Sequence, residues 1–153
     1  MDTTSVEHHA PFIITFSSLL VYAVHDGYLG GIYHLTADEI YIENNQFIIQ
    51  ESKNASKTKM PSIDDIKDGL FKLILFSNLD SLYLDNVQVE FRTQLKITGR
   101  IEGSLYLPND NAAVVSNFCK NNNFSNTLRK IIDLLNQETI KNPKLKIIIT
   151  HHE

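Results

Sequence analysis

The sequence predicts an α/β protein in which helices and strands form a mixed sandwich around a central sheet. Three observations lead to this class. Some segments repeat apolar residues at helical spacing, others alternate apolar and polar residues as strands do, and the two kinds of segment follow one another along 153 residues. With 42% hydrophobic and 21% charged residues, the chain is expected to form one domain over residues 1–153 with a substantial core.

The first element is predicted to be a helix in the segment PFIITFSSLLVYAVHDG. Pro11 suits a first helical turn and Gly27 suits a helix end. The apolar residues at helical spacing between them are Phe12, Phe16, Leu19, Leu20 and Ala23. The most apolar part, residues 10–24, is shorter than the roughly 20 residues of a membrane-spanning helix. We therefore expect a core helix and no membrane association.

The next elements are predicted to be a hairpin and a second helix. Over residues 36–54, Ile40 and Ile42 alternate with polar residues, Asn44-Asn45 forms the turn, and QFIIQ continues as a more buried strand. Ser62 is placed to cap a helix with acidic residues in its first turn. The residues that line one face of this predicted helix are Ile63, Ile66, Leu70, Leu73, Ile74 and Ser77.

The second half of the chain predicts strands at both ends and helices between them. Residues 87–98 alternate as one long, half-exposed strand with a wetted face, and SLYLP (104–108) is expected to pair with it. A short helix is predicted from Ala112 to Cys119. A longer helix and a last strand, LKIIIT, follow; the apolar side of that helix consists of Leu128, Ile131, Ile132 and Leu135.

Composition excludes several classes of function. The single cysteine, Cys119, rules out an intrachain disulfide and a multi-cysteine zinc site, and it fits a reducing, cytoplasmic compartment. The net charge of −4 argues against binding nucleic acid by bulk electrostatics alone. Positive charge is nevertheless concentrated after residue 85, which leaves room for a local phosphate-binding surface.

The ends of the hairpin carry the chemistry that a metal-dependent site requires. Pairing through Asn44-Asn45 places Asp38 opposite Glu51, and strand alternation points Glu51 and Lys53 to one face. Two carboxylates can bind Mg²⁺, and a nearby ammonium group can orient a nucleophile or stabilise negative charge. This combination suits hydrolysis of a phosphodiester.

At these residues the sequence resembles the PD-(D/E)xK nucleases, to which most type II restriction endonucleases belong. Asp38 matches the first acid of the family motif and Glu51-Ser52-Lys53 matches the E-x-K, over a region resembling the family's αβββαβ core from about residue 11 to 100. The resemblance implies a restriction-endonuclease-like three-layer sandwich with a central mixed β-sheet flanked by helices. It also implies that Asp38, Glu51 and the Ser52 carbonyl hold Mg²⁺ while Lys53 serves catalysis.

The resemblance implies double-stranded DNA as the partner, and a homodimer or a larger restriction complex as the working form, since one site cuts one strand. A truncated or split enzyme is also consistent with the short chain. The residues predicted to contact DNA phosphates are Asn54, Lys57, Lys59, Arg92 and Lys96.

Two observations keep a plainer interpretation open. Ala37 stands where the family commonly has proline, and a second acid-x-Lys triplet, Asp65-Ile66-Lys67, occurs in a predicted helix. Charges at strand ends also occur simply to keep a sheet rim soluble. The alternative function is a non-catalytic α/β interaction module that binds a partner protein or nucleic acid.

Overall fold

The computed structural model describes residues 20–24, 32–79, 81–84 and 87–152. Within these ranges the chain forms a mixed five-stranded sheet, two separate strand pairs and three helices. The strands are β1 (Leu20–Val24), β2 (Ile32–Thr36), β3 (Glu39–Glu43), β4 (Gln46–Asn54), β5 (Leu82–Leu84), β6 (Val87–Val89), β7 (Phe91–Gly99), β8 (Leu105–Leu107) and β9 (Leu145–His151). The helices are α1 (Ile63–Ser77), α2 (Ala112–Asn121) and α3 (Asn126–Lys141). The α/β class predicted from the sequence is confirmed.

The five-stranded sheet has the order β3-β4-β7-β9-β8. β3 and β4 are antiparallel, β4, β7 and β9 run parallel to one another, and β8 returns antiparallel to β9. The parallel neighbours β4 and β7 are joined by a connection that contains α1, because parallel strands need a long crossover. The sheet is therefore mixed, as expected.

One face of the sheet carries the core. Leu95, Ile97, Leu145, Ile147 and Ile149 are completely buried on it. α1 lies over β4 and β7, while α3 lies over β9 and β8. α2 adds Val115, Phe118 and Cys119 to the same apolar cluster. The helices thus bury one face of the sheet in a single continuous core.

The predicted first helix is wrong over the residues that the structure describes. Leu20 to Val24 form a strand, β1, that pairs antiparallel with β2, Val24 lying opposite Ile32. The segment LVYAV is rich in β-branched and aromatic residues, which favour strands, and a short apolar run does not separate helix from strand by periodicity. The rest of the predicted helix, before Leu20, lies outside the described residues.

The predicted long strand over residues 87–98 is also corrected. It is interrupted at Glu90, so that β6 pairs with β5 while β7 enters the sheet. β7 lies between two parallel neighbours, and its supposedly wetted face includes Gln94 and Thr98, both of which are buried. The predicted strand in SLYLP exists as β8, but it pairs with β9 instead of this strand.

The predicted second helix and the hairpin turn are confirmed. Ser62 caps α1, because its hydroxyl accepts a hydrogen bond from the Asp65 amide at 3.1 Å. Asn44 and Asn45 both have positive φ, at 48° and 66°, as a two-residue hairpin turn of this hand requires. Within the described residues, none of the helices combines the length and the apolar character needed to cross a membrane.

Candidate metal and phosphodiester site

The hairpin register places the two predicted metal-binding carboxylates opposite each other. Glu39 pairs with Gln50, so the next pair outward is Asp38 and Glu51. Residues that lie opposite each other in an antiparallel pair point to the same face, and burial, followed by the negative charge of Asp38, raises the pKa of Glu51. Asp38 is exposed at the rim, whereas Glu51 is completely buried. The site therefore has one carboxylate facing solvent and one in the interior.

Ser52 connects the two strands at this point. Its backbone N–H donates to Oδ2 of Asp38 at 2.9 Å. In an extended strand the N–H and the carbonyl of one residue point to the same side, so the Ser52 carbonyl also faces the end of β3 where Asp38 lies. The three predicted metal-binding groups, Asp38, Glu51 and the Ser52 carbonyl, thus lie at the same end of the hairpin.

Glu51 is an acidic residue whose side chain lies in the interior of the protein. Its side chain is 1% exposed, and Oε2 accepts from the Lys72 ammonium group at 3.2 Å. Oε1 is buried, and none of the described residues forms a hydrogen bond with it. Burial, and secondarily Asp38, raise the pKa of Glu51, while Lys72 and Lys53 oppose this shift. An unpartnered buried carboxylate oxygen is costly for folding and is expected where a ligand completes the structure.

Lys53 lies on the same face of β4 as Glu51. Its ammonium group pairs with Oδ2 of Asp68 at 2.7 Å. This hydrogen bond raises the pKa of Lys53, with further support from the charges of Glu51 and Asp38. The same contact lowers the pKa of Asp68. Lys53 is therefore a fixed positive charge and not a proton acceptor at neutral pH.

Two residues of α1 belong to the site although the sequence patterns did not indicate them. Asp68 contacts Lys53, Lys72 contacts Glu51, and the charged groups of Asp68 and Lys72 are 3.9 Å apart on successive turns of the helix. Asp-x-x-x-Lys is a common spacing on solvated helix faces, so the sequence alone offers only a weak signal. α1 packs against β4, and this packing brings an ordinary pair of charged helix residues, Asp68 and Lys72, into the site.

Gly69 allows α1 to approach the site closely. A Cβ atom at this position would lie 2.8 Å from Cε of Lys53 and 2.9 Å from Cδ1 of Leu95. The Lys53 stem therefore passes directly across the helix backbone at Gly69. Any larger residue would displace either this stem or the helix.

The predicted DNA-contact residues are divided between different parts of the protein. Lys57 is exposed in the loop after β4. Lys59 donates to the carbonyls of Asn122 and Asn123, at 2.7 and 3.1 Å, and so fixes this loop to the end of α2. Asn54 is exposed and accepts from the Thr98 hydroxyl at 2.7 Å.

Arg92 and Lys96 lie on the other face of the sheet. Leu95 and Ile97 pair with Glu51 and Lys53, so the residues that alternate with them point away from the site. Arg92 is exposed and Lys96 is half-buried. The structure therefore does not bring these two cations together with Asp38, Glu51 and Lys53.

The residues present fit a hard divalent cation. The site offers an exposed carboxylate, a buried carboxylate oxygen without a partner, and a backbone carbonyl, all of them oxygen ligands. In the part of the chain that the structure describes, no three His, Cys, Asp or Glu side chains come together as a candidate metal-binding group. Two side chains are enough for Mg²⁺, which retains several of its own water molecules.

Comparisons of the chain with models of protein families, with curated proteins and with solved structures gave no match. The functional argument therefore rests on the residues and contacts described above.

Proposed function

We propose that this protein is a Mg²⁺-dependent endonuclease that hydrolyses DNA phosphodiester bonds, of the PD-(D/E)xK and restriction type. The observation that carries the proposal is the unpartnered, buried Oε1 of Glu51 in a site that also holds Asp38 and Lys53. No described residue donates a hydrogen bond to this oxygen, and a buried oxygen without a protein donor is a place where a bound cation or an ordered water molecule is expected. The mixed sheet, one face of which is covered by the described helices, is compatible with an α/β sandwich of the kind found in that nuclease class.

The residues of the chain would divide the work as follows. Asp38, Glu51 and the carbonyl of Ser52 would hold the cation at the end of the hairpin. When bound, Mg²⁺ would activate a water molecule and neutralise charge on the phosphate. Lys53 would keep its proton throughout and stabilise the negative charge that develops on the phosphate oxygens, since its pKa is raised. Asp68 would hold the Lys53 ammonium group in position until the substrate arrives.

The working form would be a cytoplasmic homodimer or part of a larger restriction complex on double-stranded DNA. One such site cuts one strand, and a two-fold symmetric duplex target presents two equivalent strands to two copies. Lys57 is the exposed cation closest in sequence to the E-x-K strand and is the favoured phosphate contact.

Cleavage of plasmid DNA tests the proposal. The full chain should nick supercoiled plasmid in Mg²⁺ and not in EDTA, and Mg²⁺ should raise its Tm. Glu51→Ala and Asp38→Asn should abolish both responses. Glu43→Ala removes an exposed acid at the other end of the same hairpin and should leave both responses intact. A purified wild-type chain that neither gains stability from Mg²⁺ nor cuts DNA would refute the nuclease proposal.

A non-catalytic interaction module is the second candidate. It is favoured by one observation: Lys53 and Lys72 are both already paired with carboxylates, as in a structural ion network. This candidate predicts that divalent cations change neither stability nor any activity, so the same experiment separates the two functions.

A further inference from the structure

Lys72 places a positive charge directly on one oxygen of the Glu51 carboxylate. Its ammonium group lies 3.2 Å from Oε2 of Glu51, and no described residue forms a hydrogen bond with Oε1. The two oxygens of one carboxylate therefore differ: one is held by a cation that belongs to the protein, and the other receives no hydrogen bond from the described residues. The inference rests on the proposed function, because it concerns the cation that the nuclease would bind.

The remaining contacts keep Lys72 in place. Asp68 lies 3.9 Å from its ammonium group, one helical turn away on α1, and also binds Lys53. The four side chains form an alternating series from Lys53 through Asp68 and Lys72 to Glu51. Because Glu51 is buried, movement of Lys72 away from it would leave an uncompensated carboxylate charge in the interior.

We propose that the ammonium group of Lys72 stays bound to Oε2 of Glu51 when the site binds a metal ion. Its positive charge limits the site to one divalent ion per chain and lowers the affinity of the site for that ion. The charges support this assignment. In formal charges, Asp38, Glu51 and Asp68 contribute three negative charges, and Lys53 and Lys72 contribute two positive ones. The site thus has a net charge of −1, and loss of Lys72 would make it −2.

Titration of the metal-stripped full chain with Mn²⁺ by calorimetry tests this role without relying on cleavage. The wild type should bind one Mn²⁺ per chain. Lys72→Met should bind Mn²⁺ about tenfold more tightly, or accept a second ion, because a unit charge a few ångströms from a divalent ion repels it even in a water-like dielectric. Lys72→Arg should bind like the wild type, because the positive charge is retained.

Lys67→Met is the matched control. Lys67 lies on the same helix and its substitution makes the same charge change, but its side chain is 71% exposed and it pairs only with Asp64 among the described residues. It should leave the Mn²⁺ affinity unchanged within about twofold, since its charge is solvent-screened. If Lys72→Met does not fold, Lys72→Gln removes the same charge while retaining an N–H donor, and it carries the same expectation.

The outcomes distinguish this inference from the proposed function. Two Mn²⁺ per wild-type chain, or a charge-removing Lys72 variant with wild-type affinity and stoichiometry, would overturn the role of Lys72 and leave the nuclease proposal standing. A wild-type chain that binds no Mn²⁺ would overturn both.

Discussion

Gln50 and Glu51 are neighbours in β4, both are buried, and they point to opposite faces of the sheet. The Gln50 amide group is fully engaged: it donates to Glu39 at 2.6 Å and to Ser52 at 3.3 Å, and it accepts from Gln94 at 2.6 Å. Among the described residues, Glu51 has one charged partner, Lys72, at Oε2 and no hydrogen-bond partner at Oε1. Two neighbouring buried polar side chains of one strand thus differ in how completely their hydrogen-bonding groups are paired.

This difference in hydrogen bonding suggests that Gln50 is buried for stability and that Glu51 is buried for function. A complete hydrogen-bond network makes a buried polar side chain part of the fold, and its loss is felt as instability. An incomplete one lowers stability in the ligand-free protein and is retained where a ligand supplies the missing contact. Substitutions on the Gln50 face should therefore affect stability, and substitutions on the Glu51 face should affect activity.

The largest expected effect is on cleavage by Lys53→Met. Removal of the ammonium group should lower Mg²⁺-dependent plasmid cleavage by at least about a hundredfold, the cost of losing one group that stabilises transition-state charge. Mn²⁺ binding should persist, because the oxygen ligands are unchanged. Cleavage rates and calorimetry on the same preparation measure both quantities. Wild-type cleavage by this variant would remove Lys53 from the mechanism.

The second prediction concerns the opposite face. Gln50→Leu leaves the buried amide of Gln94 without one of its acceptors, so the free energy of unfolding should fall by about 1–3 kcal/mol. Urea denaturation measures this loss. Mg²⁺ should still stabilise the variant, and cleavage below its Tm should be retained. Loss of the Mg²⁺ response with an intact fold would show that the two faces are not independent.

The third prediction is a pH dependence of the metal-free protein. The pKa of Glu51 is raised in the folded state, chiefly by burial. Its contribution to stability is therefore fully present below the unfolded value of about 4.5 and is lost as pH rises through the folded pKa. In EDTA, Glu51→Gln should gain stability relative to the wild type as the pH is raised from that unfolded value to neutrality.

Thermal unfolding of both proteins across this range checks the sign. Glu43→Gln, at an exposed position, serves as the control and should follow the wild type. A stability advantage of the Glu51→Gln variant that shrinks toward neutral pH would mean that Lys72 outweighs burial in setting the ionisation of Glu51.

The smallest expected effect separates the DNA-contact candidates. Lys57→Ala should weaken binding of a DNA duplex by about two- to fivefold, as loss of a single phosphate contact does, whereas Lys96→Ala should change it less than about twofold. Lys96 lies on the face opposite Glu51. Fluorescence anisotropy in Ca²⁺ at low salt measures both. An equal loss in the two variants would place the duplex against the Gln50 face as well.

Much of the site could be predicted from local sequence because hairpin pairing is a local property. The Asn44-Asn45 turn and the alternation of Ile40 and Ile42 define the register, so the proximity of Asp38 to Glu51 required no knowledge of the rest of the chain. The capped helix after Ser62 and the helices near the chain end were predictable for the same reason.

The errors occurred where local patterns are degenerate. LVYAV fits a helix face and a strand equally well, and its pairing with β2 decides between them. Residues 87–98 alternate without interruption, so only the packing shows that β6 and β7 belong to different sheets. The alternation also suggested a wetted face, but Gln94 is buried there because its side chain hydrogen-bonds to those of Tyr41 on β3 and Gln50 on β4.

The sequence by itself determined the α/β class, the hairpin and the juxtaposition of its terminal charges, since these depend on interactions between residues close along the chain. Tertiary structure alone decided that Asp68 and Lys72 join the site and that Arg92 and Lys96 do not. Both outcomes depend on how α1 lies across β4 and how β7 registers beside it. Such placement is fixed by packing of the whole core, which no short window of sequence contains.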